Sequence, residues 1–74
     1  MNLNTKIETY KPKKRTWLKL MRVEKDLGQK DVANACGINQ TLYSYIERGV
    51  MIPEESVAKK IGAFFGFDWT AFYK

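Results

Sequence analysis

Histidine is absent from this chain of 74 residues, and cysteine occurs once, at position 36. A single thiol excludes a disulfide within the chain, and without histidine or a second cysteine an ordinary zinc site cannot form. We interpret Cys36 as a small buried residue packed beside a turn, with a redox role as the alternative. The sequence therefore predicts no metal and no cofactor.

Long apolar runs and catalytic constellations are also missing. No stretch is long enough to span a bilayer and the first residues lack a hydrophobic signal core, so we expect a cytoplasmic protein without a membrane partner. The adjacent pair Glu54 and Glu55 would point about 100° apart on a helix. That pair is better explained as negative charge at a helix start than as paired catalytic carboxylates. The sequence predicts that this protein is not an enzyme.

The chain does contain apolar and basic residues in quantity. Its hydrophobic content of 45%, with two Trp, four Tyr and four Phe, favours one small folded domain over disorder. The net charge of +5 is uneven, because residues 1–25 hold eight Lys/Arg against two Glu. The remaining residues hold five basic against six acidic side chains. Lysine and arginine that neutralise phosphates supply non-specific DNA affinity, so this N-terminal charge favours a nucleic-acid partner.

The most informative segment runs from Gln29 to Gly49. It predicts a helix over about Gln29–Cys36, a tight turn at Gly37, and another helix over about Asn39–Arg48, with Asn39 as its N-cap. A chain leaving a helix commonly needs a positive φ, which glycine adopts at little cost. Small and apolar residues would pack the two helices together: Val32, Ala33, Cys36, Ile38, Tyr43 and Ile46.

The second helix of this segment has a distinct outward face. With 3.6 residues per turn, five residues share the side opposite Tyr43 and Ile46: Gln40, Thr41, Ser44, Tyr45 and Arg48. None of the five is acidic. Hydrogen-bonding side chains on an exposed helix suit the major groove of DNA, where glutamine can bind adenine N6 and N7.

This spacing resembles the helix-turn-helix of the Xre/Cro family of small bacterial and phage repressors. The matching positions are Gln29, Ala33, Gly37, Ile46 and the closing triplet 47–49, and the resemblance extends from about Trp17 to Phe72. It implies an all-α fold, a compact five-helix repressor-like domain.

The resemblance and the outward position of these side chains on the helix together indicate roles for individual residues. Gln40 matches a base-contacting position, and Thr41 would touch a thymine methyl group or a base edge. Tyr45 would contact a base or a phosphate, with lateral packing as the alternative, and Ser44 either reaches a base or stays solvated. Helix-end positions imply phosphate contacts, with solvation or capping as the alternative, for Gln29, Asn39 and Arg48.

Two further positions match a partly buried ion pair of the family, Arg22 with Glu47. Arg22 belongs to a predicted first helix over about 16–25, followed by a turn at Asp26. Gly28 there replaces the usual side-chain cap of the next helix. The inward residues of the first helix are predicted to be Trp17, Leu18 and Met21, with Val23 as a further candidate.

A fourth helix is predicted after Pro53, and Gly66 ends it. Asp68 would cap a short terminal segment over Trp69–Tyr73. The apolar stripe of the fourth helix consists of Val57, Ala58, Ile61, Phe64 and Phe65.

Residues 1–14 precede the family pattern, and we expect them to form a flexible basic arm beside a domain over 15–74. Its end is strongly basic, and we expect phosphate contacts from Lys13, Lys14 and Arg15. A solvated tail is the alternative.

One departure from the family lies in the loop Val50-Met51-Ile52, which is apolar where relatives usually carry Lys or Arg. Such a loop suits a protein partner, together with the C-terminal aromatic residues. We therefore expect a transcriptional regulator of phage, prophage or mobile-element type that binds a double-stranded operator, as a homodimer. The alternatives are a protein-interaction module, such as an anti-repressor or repressor partner, and an antitoxin-like or architectural protein.

Overall fold

A computed structural model describes residues 13–74, and every regular element within that range is helical. Four α-helices are followed by one 3₁₀-helix, η1: α1 (Thr16–Glu24), α2 (Gln29–Cys36), α3 (Gln40–Glu47), α4 (Glu55–Phe65) and η1 (Trp69–Tyr73). The predicted all-α class is confirmed, although the expected fifth helix is a 3₁₀-helix of five residues. Residues 1–12, most of the predicted arm, lie outside the described residues.

Helix α1 turns its apolar face inward through Leu18, which is fully buried. The prediction that Val23 also points inward is wrong, because 52% of Val23 is exposed. Five residues along a helix rotate the side chain by about 140°, so Val23 faces away from Leu18. Trp17 is 36% exposed but rests its ring against Phe67 and Phe72, at centroid distances of 5.2 and 5.5 Å.

Helices α2 and α3 are joined as the sequence predicts. Gly37 has φ 67°, and the N–H of Ile38 donates to the carbonyl of Ala33 at 2.9 Å. Asn39 then caps α3, since its Oδ1 accepts from the N–H of Leu42 at 3.1 Å. These local bonds end one helix and start the next within three residues, which fixes the geometry of the helix-turn-helix.

The other helix ends follow the same rules. Asp26 takes φ 57°, the one positive value among described residues other than glycine. Asp31 lies in the first turn of α2, and its carboxylate stabilises the start of that helix by accepting a hydrogen bond from the N–H of Gly28 at 2.8 Å. Asp68 begins η1 by accepting from the N–H of Thr70 at 3.0 Å.

A single core lies between the helices. Its buried members come from all five elements: Leu18, Val32, Ala33, Cys36, Tyr43, Ile46, Val57, Ala58, Ile61 and Phe72. Each large aliphatic side chain buried in this way contributes about 1.5–3 kcal/mol. Burial raises the pKa of the Cys36 thiol, and its Sγ lies 3.8 Å from the carbonyl oxygen of Lys60, as expected of a packed cysteine.

The C-terminal segment closes this core over α1 and α4. Phe67 and Phe72 meet edge to face at 5.6 Å, and the Tyr73 hydroxyl donates to the carbonyl of Pro53 at 2.8 Å. Helix α3 is held by α1 and α2 on one side. Its opposite side is left facing outward.

Candidate nucleic-acid interface

The outward side of α3 presents the polar residues that the sequence pattern singles out. Gln40, Thr41 and Tyr45 are exposed and Ser44 is half-buried, whereas Tyr43 and Ile46 are fully buried behind them. A shallow concavity of about 330 Å³ brings together six side chains, which we call the α3 face: Gln29, Gln40, Thr41, Ser44, Tyr45 and Arg48.

At the C-terminal end of α3, the α3 face carries the positive charge of Arg48, which lies over the ring of Tyr45. The Arg48 guanidinium lies 5.4 Å from the centroid of the Tyr45 ring, a cation–π contact. This contact orients both side chains on the surface. The face therefore combines hydrogen-bonding groups at the start of α3 with a cation at its end.

Behind the α3 face, Arg22 and Glu47 form a bidentate ion pair. Arg22 Nε donates to Glu47 Oε2 at 2.9 Å and Nη2 donates to Oε1 at 3.0 Å. The remaining nitrogen of Arg22, Nη1, donates to the carbonyl of Leu27 at 2.8 Å. Only 5% of Glu47 is exposed. The pair ties α1 and the α1–α2 turn to the C-terminal end of α3.

Hydrogen bonding decides the ionisation of this pair. Burial opposes the charged form of Glu47, but the bonds from Arg22 and Gln29 outweigh it and lower the pKa of the carboxyl. The hydrogen bond with Glu47 likewise raises the pKa of Arg22. Both groups are therefore charged near neutral pH, and removal of one would leave the other charge partly buried.

The Tyr43 hydroxyl lies beside this pair. It is buried and has no partner at good hydrogen-bonding geometry, although it is close enough to Glu47 for a poorly aligned hydrogen bond that helps to lower the pKa of that carboxyl. Burial raises the pKa of Tyr43. The predicted core position of Tyr43 is confirmed, because Tyr43 has no exposed surface.

Of the three helix-end residues that are predicted to contact phosphate, two also make structural contacts within the protein. Gln29 Nε2 donates to Glu47 Oε1 at 3.1 Å, and Asn39 Oδ1 is the cap of α3. The remaining one, Arg48, is exposed. Phosphate binding by these residues stays a prediction.

Arg15 has a role that sequence reasoning missed. Its Nη1 donates to the carbonyls of Ile46 at 2.6 Å and Met51 at 3.0 Å, and its backbone N–H donates to the main-chain carbonyl of Glu47 at 2.9 Å. The guanidinium also lies 5.4 Å from the Phe72 ring centroid. It therefore caps the C-terminal end of α3, where a cation is favourable. Because these partners are about 30 residues or more away in the sequence, no local pattern indicates this role.

The backbone of Lys13 and Lys14 passes close to the same helix end. Gly49 has φ 78°, and a Cβ built there would overlap the carbonyl of Lys13. Both lysine side chains are exposed. The basic segment thus leads directly past the C-terminal end of α3.

The apolar loop after α3 is exposed, with Ile52 63% accessible. It borders a groove of about 370 Å³ whose apolar lining residues include Leu42, Met51, Ile52, Pro53 and Val57. No lysine or arginine lines this groove.

Other kinds of site are not seen within residues 13–74. No cluster of acidic or cysteine side chains there has an arrangement that could hold a metal ion. None of the helices in this range has the length and apolarity needed to cross a membrane.

The glycine turn, the capped α3 and its exposed polar face are the features of a helix-turn-helix domain. A family model described as a helix-turn-helix domain matches residues 17–74, and the chain belongs to this family.

Among curated proteins, the chain is similar to YqaF of Bacillus subtilis (strain 168), which is described as an uncharacterized HTH-type transcriptional regulator. The two sequences are 47% identical over 60 residues, and the match covers 81% of this chain and 79% of that protein. The chain is also similar to RstR of Vibrio cholerae, which is described as a cryptic phage CTXphi transcriptional repressor. These two sequences are 37% identical over 46 residues, and the match covers 62% of this chain and 41% of that protein. No solved structure matches the chain significantly. The predicted resemblance to Xre-type regulators is confirmed, and with it the assignment to DNA-binding transcriptional regulation.

Proposed function

We propose that this protein is a sequence-specific transcriptional regulator that reads the major groove of an operator with α3. The observation that carries the proposal is the α3 face, in which exposed polar residues surround one concavity. Helix-turn-helix proteins place such a helix in the groove with its N-terminal residues against the base edges. In α3 those residues are Gln40 and Thr41, next to the cap at Asn39.

The chemistry of each side chain suits this placement. Gln40 can donate to and accept from the adenine edge in bidentate fashion, and the Thr41 methyl can contact that of thymine. Ser44 and Tyr45 lie one turn further along and can reach a base or the backbone. Arg48 supplies a cation for a phosphate at the end of the helix.

We infer that regulation proceeds by occupancy of an operator of phage or prophage type, which blocks or recruits polymerase. Support comes from the two relatives, which are described as a transcriptional regulator and a phage repressor. We further propose that two copies bind together, because a homodimer matches a two-fold operator and doubles the contact surface.

Selection of bound sites from a random duplex pool tests the proposal. We expect the unmodified protein to enrich one sequence. A Gln40→Ala variant should lose the base preference at the positions of that sequence that depend on Gln40. Enrichment of the same sequence by both proteins would contradict the role of the α3 face. No enrichment at any salt concentration would contradict sequence-specific binding altogether.

The apolar groove at Leu42, Met51 and Ile52 favours a second function, a protein-interaction module. In that case affinity for a protein partner would depend on Ile52 and hardly on Gln40. An Ile52→Ser variant separates the two functions. It should weaken binding of a protein partner, whereas under our main proposal it leaves the base preference of the α3 face unchanged.

A further inference from the structure

Ile52 separates two concavities of different chemical character. The apolar groove lies on one side of it, and the lining of that groove also includes Glu54. On the other side lies a concavity of about 240 Å³, which we call the basic recess, with Lys13, Arg15 and Lys74 in its lining. Ile52 lines both concavities and is 63% exposed, so its side chain forms a ridge between them.

The charges on the two sides of this ridge have no ion-pair partner within residues 13–74. Glu54, Lys13 and Lys74 are exposed, and none of them takes part in a salt bridge in that range. The carboxylate of Glu54 accepts a hydrogen bond from the hydroxyl of Ser56 at 2.9 Å, which is a neutral partner. Both signs of charge are therefore available to another molecule.

The ridge is apolar and continuous with the loop that leads to it. Val50, Met51 and Ile52 are 46%, 39% and 63% exposed. Neighbouring exposed apolar side chains with a polar rim are typical of a protein–protein contact. A partner for this surface must therefore bring an apolar centre, a cation opposite Glu54 and an anion opposite the basic recess.

A second copy of this chain meets all three requirements. A two-fold axis reverses the order of features along a surface, so a patch that faces itself places residue i against residue j of the partner and residue j against residue i. With the axis near Ile52, the basic recess of one copy faces Glu54 beside the partner's apolar groove. The surface is thus complementary to itself in apolarity and in charge.

We propose that two copies of the chain pair through this surface, with Ile52 against the partner's apolar groove and Lys74 opposite the partner's Glu54. The inference rests on the homodimer of the proposed function and assigns its interface. No residue of the α3 face lines the groove or the recess, so this pairing leaves the α3 face of each copy open to a duplex.

Charge reversal at the two ends of the surface tests the pairing without DNA. In a dimer of Glu54→Lys chains each Lys74 faces a lysine, and in a dimer of Lys74→Glu chains each Glu54 faces a glutamate. We expect either variant alone to dimerise about tenfold more weakly than the unmodified protein in sedimentation equilibrium at low salt. An equal mixture should regain an association constant close to that of the unmodified protein, because both contacts of the mixed dimer join opposite charges.

Glu24→Lys and Lys30→Glu are the matched controls, because they reverse exposed charges that line neither the groove nor the recess. Alone or mixed, they should dimerise like the unmodified protein. Ile52→Ser removes the apolar ridge and should weaken dimerisation about tenfold at every salt concentration. The effect of charge reversal should instead fade as salt is raised, because salt screens exposed charges.

A mixture that dimerises no better than Glu54→Lys or Lys74→Glu alone would overturn the pairing. An unmodified protein that stays monomeric up to its solubility limit would also overturn it, and a dimer formed only after deletion of residues 1–12 would show that those residues occupy the groove instead. The proposed function has a separate test, since a monomer can still bind a duplex with one half-site through the base preference set by Gln40. Loss of that preference, with the mixture result intact, would overturn DNA reading by α3 and leave the dimer interface standing.

Discussion

Gln40 and Thr41 lie in the first turn of α3, beyond the cap at Asn39, and both are exposed. Neither side chain supports the core, so their removal should change recognition and leave folding intact. We predict that Gln40→Ala or Thr41→Ala costs about 1–3 kcal/mol of discrimination between the selected site and a single-base variant. Competition binding at fixed salt measures this difference.

Asn34→Ala is a matched control, since Asn34 is also an exposed polar residue but lies on α2. It should leave discrimination unchanged. If the α3 variants behave like Asn34→Ala, the assigned recognition face is wrong.

Tyr43 illustrates a different trade-off, because its ring fills the core while its hydroxyl has no partner there. A buried polar group without a hydrogen bond costs about 1–3 kcal/mol. We predict that Tyr43→Phe leaves the free energy of unfolding in urea unchanged or raises it. A loss of more than about 1 kcal/mol would instead show that the hydroxyl bonds Glu47 in solution.

Glu47 makes stability depend on pH in a definite direction. Its pKa is lowered from 4.5 in the folded state, so its stabilisation is complete above that value and is lost as pH falls through the folded pKa. We predict that Glu47→Gln destabilises at pH 7 by more than the roughly 0.2–1 kcal/mol of an exposed pair. The difference from the unmodified protein should narrow as the pH is lowered below 4.5.

Urea unfolding at several pH values measures that difference. Glu24→Gln removes an exposed carboxylate from α1 and should change stability at pH 7 by less than about 0.5 kcal/mol. A gap between Glu47→Gln and the unmodified protein that stays constant with pH would contradict the ion pair as its cause.

The end of α3 depends on the chain that crosses it. Gly49 and Gly66 have nearly equal φ values, 78° and 80°. A Cβ added at Gly49 would collide with the carbonyl of Lys13, whereas a Cβ added at Gly66 would meet open space. Both alanine variants should suffer the strain of a left-handed backbone, about 1 kcal/mol. We predict that Gly49→Ala loses more stability than Gly66→Ala. Equal losses in chemical denaturation would show that the Lys13 segment does not rest on α3.

The helix ends were predictable because the signals that set them are local. Gly37, Asn39 and Gly66 act within a few residues of the helix that they end or begin, so the sequence alone places those boundaries. The inward face of α3 could be predicted for the same reason, since burial of Tyr43 and Ile46 follows the helical period.

The contacts that position the site are mostly non-local, and this limits prediction from sequence. Arg15 was expected to contact phosphate, yet it bonds carbonyls 31 and 36 residues away. Periodicity carries no information about such a partner. Only the resemblance to a known family indicated the Arg22–Glu47 pair, and nothing indicated that Gln29 would join it. Phosphate binding by Arg15, Gln29 and Asn39 therefore stays a prediction.

In the molecule as a whole, the charges and apolar surfaces are arranged around α3. Basic side chains gather on the α1 side, where Lys14, Lys19 and Arg48 line one concavity, whereas the loop on the opposite side of α3 is apolar. The polar α3 face lies between them. We propose that one duplex engages the α3 face and that a second copy of the chain packs on the apolar loop.

Mapping the bound surface by NMR tests the central claim most directly, and an 8.6 kDa chain is well suited to it. On titration with the selected duplex, we predict the largest chemical-shift changes at the α3 face, at Gln40, Thr41, Tyr45 and Arg48. A shuffled duplex should perturb Lys13, Lys14 and Arg48 but hardly Gln40 and Thr41, because phosphates carry no sequence information. Changes concentrated at Val50–Ile52 and η1, with an unperturbed α3 face, would contradict DNA reading by α3.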